Sequence, residues 1–482
     1  MAGLLSRERI VARPGFNRWL VPPAALAIHL CIGQAYAFSV FKLPLTKVLG
    51  ITDSVPRDWS QPQLAWIFTI AIVFLGLSAA TWGKWLERVG PRKSGVVAAV
   101  CWASGFLISA LGVKTHQIWL LYIGYGVVGG CGLGLGYITP VSTLIKWFPD
   151  RRGLATGMAI MGFGGGAMIA SPLSQLLMEH YKSATSVGVA ETFVTLGLIY
   201  LVAMLCGALG FRVPPPDWKP AGWTAPVKTS ALITRSQVHV STAVRTPQFW
   251  LLWAVLFLNV TAGIGILEQA SPMIQEIFGG RLIGVAAHLR DLSEDQKRQV
   301  ATIASGFVGL LSLFNMAGRF GWSSASDRIG RKRTYGIFFS IGAVLYFLIP
   351  VAGHLGSVPL FVAACTIVLT MYGGGFATIP AYLSDMFGTQ FVGAIHGRLL
   401  TAWSCAGVAG PVLVNYIRDY QISQGVDPSR SYDFTMHLMA ALLAVGFVCN
   451  LLVRAVDSRY HMGADELAAE RATTAGARLQ KA

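Results

Sequence analysis

Charged side chains are scarce in this sequence of 482 residues. Asp, Glu, Lys and Arg together make up 12% of it, about half of the share that an ordinary soluble domain carries. Acidic residues are the rarer sign, with 22 Asp and Glu against 38 Lys and Arg. A chain with so little charge cannot cover its surface in water. Its mean hydropathy of +0.57 therefore indicates that a lipid bilayer is its solvent.

Several patterns that carry chemistry are also missing from the sequence. The seven cysteines contain no CxxC pair, which argues against a disulfide framework and against a metal site. No phosphate-binding loop of the form G-x4-G-K-[ST] is present, which argues against pumping driven by ATP. No H-E-x-x-H motif or nucleophile–base pair stands out. We therefore expect no cofactor, no metal ion and no enzyme activity.

The net charge of +16 alone would suit a protein that binds nucleic acid. However, the basic residues lie in short gaps between apolar runs, and no basic helix interleaves with aromatic residues. The preference of membrane proteins for Lys and Arg in cytoplasmic loops explains this pattern better. We therefore expect the chain to contact the lipid bilayer and not to bind nucleic acid.

Twelve apolar runs are long enough to cross a membrane, for which a helix needs about 20 residues. They lie near 19–43, 62–82, 94–113, 117–146, 153–177, 191–212, 248–275, 301–324, 334–353, 357–384, 394–417 and 433–455. Lys and Arg concentrate in the tails and the even-numbered gaps, which predicts that both termini are cytoplasmic. The sequence thus predicts an all-α, multi-pass protein, and we expect a monomer in a bacterial inner membrane.

The two halves of the chain repeat each other at an offset of 240 residues. The recurring pairs are Glu87 and Asp327, Arg88 and Arg328, Gly90 and Gly330, Pro140 and Pro380, Gly153 and Gly393, and Gly157 and Gly397. Six spans per half make the repeats parallel. We predict an N-terminal tail (1–18), a first six-helix bundle (19–212), a proline-rich loop (213–247), a second six-helix bundle (248–455) and a C-terminal tail (456–482).

The gap between the second and third spans carries a motif that recurs in the second half. Its residues are Gly83, Glu87, Arg88, Gly90 and Arg92 in the first copy, and Asp327, Arg328 and Gly330 in the second. The glycines allow a tight turn, and the carboxylate can cap a neighbouring helix N-terminus or pair with an arginine. We interpret the copies as gating elements. The alternative is ordinary basic charge on the inner side of the membrane.

These motifs resemble the loop signature of the major facilitator superfamily. A closer resemblance comes from three further stretches, residues 35–41 (Ala-Tyr-Ala-Phe-Ser-Val-Phe), 132–140 (Gly-Leu-Gly-Leu-Gly-Tyr-Ile-Thr-Pro) and 146–166 with its glycines. Together they resemble the oxalate/formate antiporter family, which belongs with the monocarboxylate porters. The resemblance implies two pseudo-symmetric six-helix bundles with the substrate between them. It implies secondary active transport of small organic anions by alternating access, as exchange or as proton symport.

Arg319 is the charge that stands out within a predicted span. It lies about 12 Å along its helix from Asp327, and Asn315 precedes it by one turn on the same face. A guanidinium can bind a carboxylate through two parallel hydrogen bonds. The resemblance implies that Arg319 is the cation that binds the substrate. The alternative is an arginine whose side chain extends to the membrane interface.

The resemblance also implies which other side chains line the cavity, on the first, fourth, tenth and eleventh spans. The candidates are Gln34, Tyr36, Tyr125, Tyr137, Tyr372, Phe376 and Trp403. The oxalate exchanger of the family uses a second cation, a lysine, at the place that Trp403 occupies here. One cation suits a monocarboxylate better than oxalate. Each of the aromatic residues is also compatible with simple packing.

Glu268, His29 and His437 also lie within predicted spans. Glu268 is a candidate for proton coupling, because a carboxyl in a dry cavity keeps its proton more tightly, and it is equally a candidate gate residue in contact with water. We interpret His29 and His437 as packing residues. A membrane sensor of carboxylates that binds without transporting is the alternative function, and it would show binding without flux.

Overall fold

The structure is a computed structural model that describes residues 7–51, 54–215, 218–223, 232–234 and 236–469. Within these ranges, the side chains of residues 7, 8, 39, 43, 61, 62, 268, 294, 297, 298, 301 and 305 are outside the description. The candidate role of Glu268 therefore falls on a side chain outside the described part of the chain.

The described residues form helices joined by short connections, and within them no strand occurs beyond two isolated β-bridges. Among the described residues of the first half, nine α-helices occur: α1 (Arg7–Ile10), α2 (Val21–Ile32), α3 (Ser39–Leu45), α4 (Gln61–Val89), α5 (Pro91–Lys114), α6 (Ile118–Leu121), α7 (Gly130–Trp147), α8 (Arg152–Tyr181) and α9 (Val189–Gly210). A 3-10 helix (Gly33–Ala37) continues α2, and a π-helix (Tyr122–Gly129) joins α6 to α7.

Eight α-helices follow in the part of the second half that the structure describes. They are α10 (Val240–Ala243), α11 (Pro247–Phe278), α12 (Glu294–Ile329), α13 (Arg331–His354), α14 (Val358–Phe387), α15 (Val392–Leu399), α16 (Thr401–Ser423) and α17 (Asp433–Leu452). Helices α15 and α16 follow each other directly at Leu400 and make up one long apolar element.

Twelve helical segments among the described residues are long and apolar enough to cross a membrane. They coincide with the twelve predicted spans, so the fold class is confirmed. The predicted ends differ where a charged residue interrupts the apolar run. The second span was predicted to end at residue 82, but its helix continues through Lys84 and Glu87 to Val89. A helix continues past the hydrocarbon because its backbone hydrogen bonds do not depend on side-chain polarity.

The two motif glycines end one helix and begin the next. Gly90 has φ +85° between α4 and α5, and Gly330 has φ +91° between α12 and α13. Residues other than glycine rarely adopt such backbone angles. In both turns the amide of the glycine donates to the carbonyl four residues earlier, Leu86 or Ser326. The tight turn inferred from the sequence is confirmed in both copies.

The chain divides by packing into two units whose limits do not follow the chain order. Unit 1 contains Met1–Trp250, Pro380–Ser404 and Arg454–Ala482, and unit 2 contains Leu251–Ile379 and Cys405–Val453. The end of α14, all of α15 and the start of α16 thus pack with the N-terminal helices. The predicted boundaries of two six-helix bundles follow the internal repeat and remain a prediction.

Glycines allow close helix packing within each unit. In unit 1, a Cβ on Gly162 would lie 3.1 Å from the Cβ of His29, and one on Gly166 would lie 2.8 Å from the Cα of Gly33. Helix α8 therefore lies close to α2 and its 3-10 extension. In unit 2, Gly318 brings α12 against the backbone of α14 at Thr370.

Gly318→Ala should destabilise the protein. The added methyl group would lie 2.5 Å from the Cα of Thr370, which the backbone can relieve only by moving, and overpacking of this kind costs about 1–3 kcal/mol. The matched control is Gly321→Ala on the same helix, where a Cβ meets open space. Thermal unfolding of the detergent-solubilised chain should show a lower midpoint for Gly318→Ala alone. Equal midpoints for the two variants would contradict the close packing of α12 on α14.

Candidate functional site

The Arg319 side chain is enclosed within unit 2. It is 0% exposed, and its Nε–H donates to Oδ1 of Asn315 over 2.9 Å. Its guanidinium carbon lies 5.3 Å from the centre of the Phe376 ring, so a cation–π contact supports the charge on one side. An arginine that extends to the membrane interface would be exposed at its tip, and this one is not.

Two predicted residues of α14 lie next to this arginine. Tyr372 packs edge-on against Phe376, with ring centres 5.3 Å apart. Gly263 of α11 lies directly against the Tyr372 ring, where a Cβ would come within 2.8 Å of the Cβ of the tyrosine. Unit 2 therefore brings together four of the predicted substrate-binding residues: Asn315, Arg319, Tyr372 and Phe376.

Three of the predicted residues of unit 1 belong to one buried group of rings. Trp403 is 0% exposed, and the centre of its ring lies 5.3 Å from Tyr137 and 6.4 Å from Tyr36. Phe163 of α8 completes the group, 4.8 Å from Tyr36 and 5.6 Å from Trp403. The place that the resemblance assigns to a lysine is thus an aromatic wall. We call these four side chains the unit 1 aromatic cluster.

The remaining two predicted residues form a separate pair. The Tyr125 hydroxyl donates to Oε1 of Gln34 over 3.0 Å, and both side chains are fully buried. The Tyr125 ring packs against Phe38 and Trp102, at 4.7 Å and 5.4 Å between centres. Tyr125 therefore contributes to the core of unit 1, while Gln34 keeps an amide Nε2 that has no hydrogen-bond partner among the described residues.

The carboxylate of Glu87 joins three helices of unit 1. It accepts hydrogen bonds from the Ser142 hydroxyl over 2.9 Å and from the Gly393 amide over 3.2 Å, and it forms an ion pair with Lys146. Gly393 lies in the first turn of α15, where unpaired amides and the helix dipole attract a negative charge. The sequence allowed a helix cap or an ion pair with an arginine. The structure shows the cap, and the ion pair is with a lysine.

The second copy of the motif makes a different, local contact. Asp327 accepts from Arg331 over 2.5 Å, four residues along the same turn, and Arg331 also donates to Ser326. The two equivalent carboxylates thus have different partners. The first reaches α15, whereas this bond of the second stays within the turn between α12 and α13.

The arginines of the two copies also differ in their surroundings. Arg92 is buried and donates to the backbone carbonyl of Phe211 over 3.3 Å, which ties the start of α5 to the end of α9. Arg88 and Arg328 are exposed, as basic residues beside a membrane are expected to be. The structure assigns a contact to Arg92 and leaves the other two to the surface.

Two more ion pairs of unit 1 lie at the connection between α7 and α8. Arg152 at the start of α8 donates to Asp385 near the end of α14 over 2.8 Å. Arg18 binds Asp150 through two parallel hydrogen bonds of 2.6 and 2.8 Å. Burial alone would raise the pKa of Asp150, but the hydrogen bond and charge of Arg18 outweigh it and hold this pKa below its ordinary value.

Sequence reasoning missed several residues of these groups. Ser142 and Lys146 hold Glu87 but carry no local pattern that points to it, because their contact depends on how α4 packs on α7. His396 was also missed, although its ring lies 5.9 Å from that of Tyr137. One signal could have found it: His396 precedes Trp403 by seven residues, which places both on one face of a helix.

Comparisons with known proteins agree with this architecture. The sequence profile of the Major Facilitator Superfamily matches residues 24–411 and 278–478. The chain is 27% identical over 395 residues to the oxalate:formate antiporter of Oxalobacter formigenes, covering 82% of this chain and 83% of that protein. It is 25% identical over 407 residues to monocarboxylate transporter 11 of Homo sapiens, covering 83% and 77%.

The fold is shared with solved transporter structures. The fucose:proton symporter FucP of E. coli superposes with a TM-score of 0.62 at 14% identity, covering 91% of this chain and all of that one. At such low identity the likeness shows the fold and not the substrate. With its twelve apolar helices, this multi-pass membrane protein belongs to the Major Facilitator Superfamily, whose members are transporters and not enzymes.

Proposed function

We propose that this chain is a secondary active transporter of small organic anions, with monocarboxylates as its preferred substrates. The observation that carries the proposal is the buried guanidinium of Arg319, held by Asn315 and Phe376. Charged residues inside membrane spans are rare and mostly mark substrate or ion pathways. Two similar proteins, named for oxalate and formate and for monocarboxylates, support the same class of substrate.

The preference for a single carboxylate follows from the surroundings of Trp403. A second carboxylate would have to lose its water in a low-dielectric site, at a cost of several kcal/mol without a partner charge. The unit 1 aromatic cluster surrounds Trp403 with Tyr36, Tyr137 and Phe163. This wall suits the apolar end of a small acid such as pyruvate or lactate.

Glu87 and its partners act in this proposal as the closing contact of the cytoplasmic gate. The distribution of Lys and Arg supports the assignment of both termini, and hence of the turn at Gly90, to the cytoplasm of a bacterial cell. The cap on α15 and the ion pair of Arg152 with Asp385 hold residues 380–404 against the N-terminal helices. We take this as the state that is closed to the cytoplasm, in a monomeric carrier that works by exchange or by proton symport.

The test is uptake by the purified chain in proteoliposomes with labelled formate, pyruvate, lactate and oxalate, with and without a pH gradient. We expect saturable uptake of the monocarboxylates. Exchange requires substrate on both sides of the membrane. Proton symport needs substrate on one side only, and the pH gradient drives its uptake. Binding without any flux would identify a sensor and would overturn the proposal.

Arg319→Ala should abolish transport while the chain remains folded. Loss of one partner of a buried charge pair costs about 2–5 kcal/mol, so affinity for pyruvate should fall by about 100-fold or more. Arg319→Lys should recover only part, because an ammonium group lacks the planar fork of guanidinium. Binding is measured by calorimetry, with the exposed loop variant Arg57→Ala as the control. Flux at the wild-type rate in Arg319→Ala would refute the assignment.

The two motif carboxylates should govern turnover rather than affinity. Glu87→Gln and Asp327→Asn keep the size of each side chain but remove the charge that holds its partners, so turnover should fall by about tenfold. The dissociation constant should stay within about threefold. Parallel measurement of exchange rate and equilibrium binding separates the two effects. A hundredfold loss of affinity at normal turnover would show that the residues bind substrate.

Trp403→Lys should shift the preference toward dicarboxylates. The new ammonium would supply a counter-charge inside the aromatic wall, and oxalate binding should improve about tenfold relative to formate. Trp403→Phe is the matched control, because it changes the wall without adding charge. Competition against labelled pyruvate measures both variants. If the unmodified protein already binds oxalate more tightly than formate and lactate, another group does the work of the lysine.

A further inference from the structure

His396 is a buried imidazole without a hydrogen bond. It is 1% exposed, and neither Nδ1 nor Nε2 has a hydrogen-bond partner in the described part of the chain. An imidazole carries one donor and one acceptor when neutral and two donors when protonated. Buried polar groups are usually satisfied, so such an orphan calls for a functional explanation.

The surroundings of His396 oppose a positive charge on its ring in this state. Its ring contact is with Tyr137, which also lies 5.4 Å from the ring of His29. The two ring nitrogens of His29 face backbone carbonyl oxygens of Ala159 and Tyr137. Neither Tyr137 nor His29 offers an anionic partner to a protonated His396 ring.

Tight packing keeps water away from this ring. A Cβ on Gly397, the next residue, would lie 2.8 Å from the carbonyl carbon of Ala79. One on Gly83 would lie 2.8 Å from the Cα of Ala394. Helices α15 and α4 thus meet backbone to backbone on both sides of His396. Water can reach the imidazole only if α15 separates from its neighbours.

The ionisable groups on the helices around α15 are engaged elsewhere. Glu87 of α4 pairs with Lys146 of α7, and Asp385 at the end of α14 pairs with Arg152. His239, just before α10, packs on Phe391 and accepts a hydrogen bond from the Ser241 amide. The other groups to consider are His29 on α2, Tyr137 on α7 and Arg398 on α15 itself. Among the pairs above, none provides an anion at His396.

We infer that His396 is a proton-binding site linked to the opening of the gate that Glu87 closes. While α15 is packed on α4 and α7, the ring is dry and stays neutral. When α15 separates, water solvates the ring and it takes up a proton from the cytoplasmic side. Acid on that side therefore favours the open state, by the ordinary linkage between binding and conformation. The inference rests on the proposed function, because it requires alternating access and a gate that faces the cytoplasm.

The first test is the pH profile of equilibrium exchange. Proteoliposomes contain equal pyruvate on both sides, and pH is changed on both sides together, so no gradient drives flux. The wild-type exchange rate should rise at least fivefold between pH 8 and pH 5.5, and the rise should begin at about pH 6.5, the ordinary pKa of an imidazole in water. His396→Gln should respond less than twofold over this range.

His437→Gln provides the control for loss of a histidine. His437 is exposed on α17 in unit 2 and packs on Phe347, far from the gate contacts along the chain. This variant should keep the wild-type profile. A wild-type profile in His396→Gln, or a flat profile in the unmodified protein, would overturn the inference.

The second test measures the chemical reactivity of single histidines, so it requires neither substrate binding nor transport. Diethyl pyrocarbonate modifies unprotonated imidazole that water can reach, and mass spectrometry reads each histidine separately. At pH 7.5, His396 should react at least tenfold more slowly than His354, whose side chain is 46% exposed. Glu87→Gln, which weakens the cap on α15, should speed the reaction at His396 at least tenfold and leave His354 within twofold.

The two tests separate failure of this inference from failure of the proposed function. If pyruvate is not transported but His396 becomes reactive in Glu87→Gln, the linkage stands and the substrate assignment falls. If His396 reacts as fast as His354 in the unmodified chain, or Glu87→Gln leaves its rate unchanged, the ring is not sealed by this packing and the inference falls.

Discussion

Every charge that this chain buries has to find its counter-group inside the protein, because lipid offers none. The structure meets this constraint at the ends of helices and at a few deep positions. Glu87 is balanced by Lys146 and by the first turn of α15, and Asp150 by the two terminal guanidinium nitrogens of Arg18. Since charges are so few, each pair also fixes which helices lie together. The ion pairs thereby select among helix packings that apolar contacts alone would leave nearly equal in free energy.

The two copies of the turn motif show how one sequence pattern serves two arrangements. Both have the glycine with positive φ, so the backbone turn is the same. The carboxylates differ, because Glu87 caps α15 while Asp327 pairs with Arg331 beside it. The glycine therefore sets the backbone of each turn, whereas the partner of each carboxylate depends on which groups pack beside it.

The sequence was sufficient to predict features that depend on local physics. Hydropathy and length located the twelve spans, the glycines located both turns, and helical spacing placed Asn315 beside Arg319. Features that depend on tertiary packing were not predictable in this way. Nothing in residues 380–404 signals that they pack with the N-terminal helices, and hence nothing linked Glu87 to Gly393, Ser142 and Lys146. The charged residues led to a predicted C-terminal end of the second span that is too early, because a helix tolerates Lys84 and Glu87 at its aqueous end.

The two buried basic side chains considered above, Arg319 and His396, differ in a way that suits different tasks. Arginine keeps its proton at any physiological pH, so Arg319 presents a constant charge, which Asn315 and the ring of Phe376 make tolerable between substrates. Histidine changes its charge near neutral pH, so the charge of His396 depends on whether water reaches it. A constant charge is suited to holding an anion, because its affinity does not vary with pH. A variable charge is suited to reporting conformation, because opening a dry contact around it changes its proton occupancy. The second property arises because neither ring nitrogen of His396 has a hydrogen-bond partner among the described residues. Such a partner would fix the state of the ring in every conformation.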